Sequence, residues 1–235
     1  MVTVPADPRT LGDDGGPGRE LLRPERVLAF LARLFRVLSA PFVRFEVRGG
    51  ACAADVEVGI IAANHRSMFD VVAGLVCLHH FGRYPRLLIE RQYVEHGLLG
   101  VLSRGIGAIP VDRDGDRGRA LDAAWAALDD GIPILVMPEG RLHRDPEDPT
   151  TVGVGHTGVS RLATKGGHPV VAAALIGTEK VVPPNAKLPR LNPFRRKVVI
   201  CQVADEPLWL TGDDHRANAD EVMATIRELL VRARR

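Results

Sequence analysis

The chain has 235 residues, 46% of them hydrophobic, which suits one sizeable α/β domain and leaves little room for a second. A net charge of +2 with 5% aromatics supplies neither the dense cationic runs nor the stacking rings of a nucleic-acid binder. Three cysteines, Cys52, Cys77 and Cys201, none at C-x-x-C spacing, exclude a disulfide framework or zinc ribbon and read as small buried hydrophobes in a reducing compartment.

Residues 1–20 are rich in Pro, Gly and Asp and are expected to form a disordered tail. They carry Asp7, Asp13, Asp14 and Glu20 and no apolar core, so no secretory signal is expected. No stretch is long and apolar enough to span a bilayer. Residues 21–45 form an N-terminal amphipathic helical segment in this reading, and 46–235 the folded domain. Within the first, 24–40 has helical periodicity. Val27, Phe30, Leu31, Leu34, Val37 and Leu38 share an arc, and Arg26, Arg33 and Arg36 lie away from it; Pro24 suits the first turn and Pro41 the end. Such a helix could pack on the core or lie in a membrane interface with its arginines toward anionic headgroups.

After it, strands and helices alternate. Strands are expected at 55–63, 86–89, 106–111, 132–137, 169–177 and 197–204, and helices at 68–80, 93–103, 117–130, 155–166 and 215–233. The fold class implied is a single α/β domain with a mostly parallel or mixed central sheet flanked by helices. Residues 178–197 break the rhythm with four prolines and six Lys or Arg. They read as a basic loop, either a solvated connection or a headgroup or phosphate contact.

Chemistry concentrates at three strand ends. In NHRSMFD (Asn64–Asp70), His65 and Asp70 would sit about 140° apart on a continuous helix. They can meet only if His65 lies in a loop and Asp70 in the first helical turn. Asp70 would then fix the imidazole tautomer and leave the other nitrogen to take a proton from a hydroxyl. The same letters also read as a capping box, with Ser67 as N-cap and Asp70 at N3. In GAIPVDR (Gly107–Arg113), a strand delivers Asp112 and Arg113 to the carboxyl edge where α/β sheets bind ligands, and a guanidinium there suits phosphate. The alternative is a surface Asp–Arg pair. In MPEGRLHR (Met137–Arg144), Glu139, Gly140 and Arg141 reach the same edge, with Gly140 permitting close backbone approach; alternatively this is a polar loop. If the sheet is ordered suitably, a base stands beside an anion site. GVGHTG (Gly153–Gly158) fits a dinucleotide pattern but follows no strand. His65, Glu139 and His143 lack metal-site spacing, so no metal is expected.

These three segments, in this order, resemble the 1-acylglycerol-3-phosphate acyltransferase family. Asn64, His65 and Asp70 match its first motif, GAIPVDR its second, and Pro138, Glu139 and Gly140 the start of its third. The likeness runs from about Ile60 to about Pro207. It implies that His65 is the general base and Asp70 its orienting partner. Asn64, Arg113, Glu139, Gly140 and Arg141 would then be substrate-binding. The reaction implied moves an acyl chain from acyl-CoA or acyl carrier protein to a lysophospholipid, with no cofactor beyond that co-substrate. It also implies a cytoplasmic protein, peripheral on the inner face of the cell membrane. The sequence departs from the third motif, whose Thr is missing: Arg141 follows Gly140 directly and Leu142 stands where the family has Arg. A different lysolipid or polar-lipid acceptor, or a non-catalytic lipid-binding relative, stays open on that ground.

Overall fold

The computed structural model describes residues 23–53, 55–95, 97–112, 117–142, 148, 150–186 and 188–235. The expected tail at 1–20 lies outside them. Fifteen named elements follow one another along the described residues. The first part of the chain gives α1 (Pro24–Ser39), β1 (Val43–Gly49), β2 (Ile60–Ala63), α2 (Asp70–His80), β3 (Arg86–Glu90), α3 (Arg91–Glu95) and α4 (Gly97–Gly105). The remainder gives β4 (Ile109–Val111), α5 (Arg117–Asp129), β5 (Ile134–Val136), α6 (Gly158–Gly166), β6 (Val170–Ile176), α7 (Thr178–Val181), β7 (Lys197–Val203) and α8 (His215–Ala233).

The strands form one seven-stranded sheet in the order β1-β7-β6-β2-β5-β3-β4. Every pairing is parallel except β6 with β7. Strands β2, β5 and β6 occupy its middle. Their composition (IIAA, ILV, VVAAALI) is what burial on both faces selects, and all seven residues of β6 are buried. On one face α5, α6 and α8 close over Ile60, Ile134, Val136, Val170 and Ala172. On the other, α2 covers Ala63, Val171 and Ala173, and α1 packs over α2 through Leu28 and Ala32 against Leu75 and Leu78. The three cysteines are free and buried, as their isolation in the sequence suggests.

Several expectations shift. β1 was not anticipated, although VRFEVRG alternates strictly. It is an edge strand, and its polar positions form an Arg44–Glu46–Arg48 ion-paired row, the charged edge that discourages further strand pairing. A boundary between 45 and 46 therefore falls inside a strand, and the N-terminal helix is part of the folded body. The strand expected at 55–63 starts only at Ile60. The helix expected over 93–103 divides at Gly97, whose φ of +63° ends one helix and admits the next. The helix α1 is rolled relative to its expected arc. Leu28, Ala32 and half-buried Phe35 face the protein, while Phe30, Leu34, Val37 and Leu38 are exposed beside Arg26 and Arg33.

Candidate active site

The site is built at the carboxyl ends of β2 and β5, adjacent parallel strands. β2 pairs with β6 as far as Ala63–Ala173. The side chain of Asn64 then continues the ladder. Its Nδ2 donates to Leu175 O at 3.0 Å, and its Oδ1 accepts from Leu175 N at 2.7 Å. Asn64 is wholly buried. The residue expected among the substrate contacts instead splices two strands and fixes where the chain leaves the sheet.

From that point the backbone turns sharply, and Asp70 opens α2. Oδ2 of Asp70 gathers three donors: the backbone N–H of Arg66 at 2.6 Å, that of Ser67 at 2.7 Å, and Nδ1 of His65 at 3.0 Å. A carboxylate at a helix N-terminus also meets the positive end of the helix dipole. Because the carboxylate only accepts, Nδ1 carries the hydrogen and Nε2 keeps its lone pair. The His65 side chain is 18% exposed while Asp70 is fully buried, so the ring reaches the surface on a buried support. The capping-box reading holds in half: Ser67 N–H donates to the Asp70 carboxylate, but the helix N-cap is Phe69 and Ser67 Oγ takes the Phe69 N–H rather than that of Asp70. Ser67 Oγ accepts from Phe69 N at 3.0 Å and lies 2.7 Å from Val182 O and 3.2 Å from Thr178 O, which straps the His65–Asp70 turn to α7.

Glu139, after β5, is buried next to His65 and Arg66. Burial pushes its carboxyl up to about 7, against the weaker downward pull of nearby backbone amide dipoles and of the Arg66 charge. Neither carboxyl oxygen has a hydrogen-bond partner among the described residues. The turn that brings it here is closed by Gly140 N–H donating to Met137 O, with Gly140 at φ +62°. A Cβ at Gly140 would lie 2.8 Å from the His156 ring. Arg141, next in the chain, is exposed.

Arg66 is a residue that motif reading passed over. Its guanidinium, buried against the site, donates to Thr151 O at 2.7 Å and Asp148 O at 3.1 Å, tying the segment after Glu139 to the His65–Asp70 turn. Its only sequence signal is a position inside NHRSMFD.

The three expected strand ends share one carboxyl rim, because β2, β5, β3 and β4 run parallel. β4 is the edge strand, three places from β2, roughly 14 Å at ordinary strand spacing. Asp112 there accepts from Arg91 Nε at 2.5 Å, and that guanidinium holds its carboxyl below the usual range. Arg113, His143 and Arg144 lie outside the described residues. Among the described residues no group of three His, Cys, Asp or Glu is placed to hold a metal, and no helix is long and apolar enough to cross a membrane. An apolar cavity of about 60 Å³ lies under α2 between Ala63, Gly74, Cys77 and Leu175.

The arrangement is an imidazole with Nδ1 held by a buried carboxylate, partly exposed at the carboxyl end of a central strand, a geometry that suits proton abstraction from a hydroxyl. The acyltransferase family model matches residues 44–176, more than half of the chain. The fold is similar to that of the crystal structure of the 1-acyl-sn-glycerophosphate (LPA) acyltransferase PlsC from Thermotoga maritima. That match has a TM-score of 0.70 and 18% identity, and covers 90% of this chain and 81% of that one. No curated protein matches the sequence.

Proposed function

Given that the chain belongs to the acyltransferase family, we propose that it moves a fatty acyl group from a thioester to a lysophospholipid hydroxyl. The acceptor is 1-acylglycerol-3-phosphate and the product phosphatidic acid. The observation that carries this reading is the 3.0 Å contact between His65 Nδ1 and Asp70 Oδ2, with Nε2 unbonded among the described residues.

Nε2 takes the acceptor's hydroxyl proton as its oxygen attacks the thioester carbonyl. The tetrahedral intermediate collapses, the new ester forms, the carbon–sulfur bond breaks, and the imidazolium returns its proton to the departing thiolate of CoA or acyl carrier protein. Asp70 holds the ring and stabilises the imidazolium. The base supplies a factor of about 10²–10⁴, and most of the rest comes from holding alcohol and thioester together. Arg141, exposed beside Gly140, supports an acceptor-phosphate contact; Arg113 is its partner in this reading. Glu139 sits too deep to touch a lipid headgroup and acts on the site from behind.

The protein works as a peripheral enzyme on the inner face of the cell membrane in this reading. The outer face of α1 supports that, since Phe30 is 64% and Val37 70% exposed next to Arg26 and Arg33.

A second reading, the same chemistry on another lysolipid, is favoured by one feature: the third motif lacks its family Thr and places Leu142 where Arg is usual. Assay of the purified chain with acyl-CoA and with acyl carrier protein against lysophosphatidate, other lysophospholipids and a phosphate-free acylglycerol decides between them. Preference for lysophosphatidate supports the first reading, and preference for the phosphate-free acceptor overturns it. No turnover on any acceptor, or a rate unchanged in His65→Ala, overturns the proposed mechanism.

A further inference from the structure

Residues 188–196, LPRLNPFRR, are nine consecutive exposed positions. Three are large and apolar: Leu188 at 77%, Leu191 at 46% and Phe194 at 97% exposure. Scattered exposed hydrophobes need no explanation, but three in seven residues are a cluster. Arginines alternate with them at Arg190 and Arg195, and no acidic residue occurs from Lys180 to Ala204. The segment is not a loose end. Arg190 N–H donates to Val181 O at 2.7 Å, Lys197 Nζ caps the carbonyls of Lys180 and Arg190, and Arg196 Nη2 donates to Val43 O at 3.1 Å. Pro189 and Pro193 fix their φ angles, which limits the ways the apolar side chains could fold back.

We propose that 188–196 is a bilayer-docking foot: Leu188, Leu191 and Phe194 enter the acyl boundary of an anionic membrane while Arg190 and Arg195 meet its headgroups. The foot is coupled to the active site. Its base is α7, and the Thr178 and Val182 carbonyls at the ends of α7 are those that Ser67 holds, two residues from His65. Met68, next to Ser67 in the turn, is itself 50% exposed. Docking therefore seats the His65 cleft at the depth where a lysolipid hydroxyl lies, a consequence that rests on the acceptor class proposed above. The charge pattern favours lipid: the cations are spaced among side chains with no polar partner of their own.

The test is flotation of the full-length chain with phosphatidylcholine vesicles containing or lacking phosphatidylglycerol, alongside turnover of a short-chain, monomeric lysolipid. Phe194→Asp with Leu188→Asp is expected to lower vesicle binding by on the order of tenfold or more. Arg190→Ala and Arg195→Ala should each lower it by about fivefold, only on anionic vesicles. Turnover of the monomeric acceptor stays at the unsubstituted level in all of them. Phe194→Trp provides a readout independent of the Asp variants' folding: its emission should shift to the blue with anionic vesicles. Equal binding by the Asp variants, or no emission shift, overturns the foot. So does unchanged vesicle binding with a raised KM for acyl carrier protein, which would assign the surface to an acidic protein. Loop-dependent binding in a chain inactive on every lysolipid would instead refute the proposed acceptor and leave the foot standing.

Discussion

Asp70 supports His65 from inside the protein: its Oδ2, with no solvent exposure, lies 3.0 Å from His65 Nδ1 and simultaneously accepts the backbone N–H groups of Arg66 and Ser67. The carboxylate thus holds the turn and the imidazole with one atom. Asp70→Asn tests the division. With its amide oxygen where Oδ2 sits, the asparagine can still accept all three N–H donors, but it carries no negative charge to stabilise the imidazolium. Activity is expected to fall by at least about 10²-fold with a thermal midpoint within a few degrees of the unsubstituted chain. Steady-state rates beside a calorimetric melt check it; a retained rate removes Asp70 from the mechanism.

Glu139 makes stability depend on pH. Its carboxyl is raised from 4.5 to about 7 in the fold. Below pH 4.5 it is neutral folded and unfolded, so it contributes its full stability there. As pH rises to about 7 the unfolded chain loses the proton first, and stability drains away until the folded group ionises too. The loss is on the order of 3 kcal/mol. Glu139→Gln should abolish that slope, so urea unfolding of both proteins from pH 4.5 to 8 should show curves that diverge through this window and run parallel above it. Curves parallel throughout would mean the carboxylate finds a partner in solution.

Asn64→Ala should damage the fold before it damages binding. It strands the N–H and C=O of Leu175 in a dry interior, at a cost of about 2–4 kcal/mol. Denaturant midpoints should drop by that amount, with KM for both substrates nearly unchanged in the fraction still folded. A raised KM at unaltered stability would restore Asn64 as a substrate contact.

Gly74 lies within α2, and a Cβ built there meets nothing within 4 Å. Gly74→Ala is therefore expected to stabilise by about 0.5–1 kcal/mol, from helix propensity and partial filling of the apolar cavity. Chemical unfolding reads this directly, and a destabilised variant would show that the cavity is already tight.

Much of this was legible in the letters. The alternation of apolar runs with helical periods gave the α/β class, and the burial of β6 on both faces could be read from VVAAALI. His65 and Asp70 could be selected because five-residue spacing only makes sense across a turn. β1 was also legible, since VRFEVRG has period two, but an edge strand of half-charged composition carries a weak hydrophobic signal and follows a helix whose pattern masks it. The role of Arg66 was not legible: its carbonyl partners at 148 and 151 lie more than eighty residues away and have no side-chain signature.

The sequence by itself determined local geometry and chemistry: which segments turn, which strands are buried, and which side chains could act as base and support. It could do so because those depend on residues within a few positions of one another. Strand order was decided only in three dimensions. It made β2 and β5 neighbours and so set Glu139 beside His65, sent Asp112 to the far edge with Arg91, and turned Asn64 from a ligand contact into a bridge to β6. Pairing across the sheet depends on how distant segments share one core, and no local pattern encodes that.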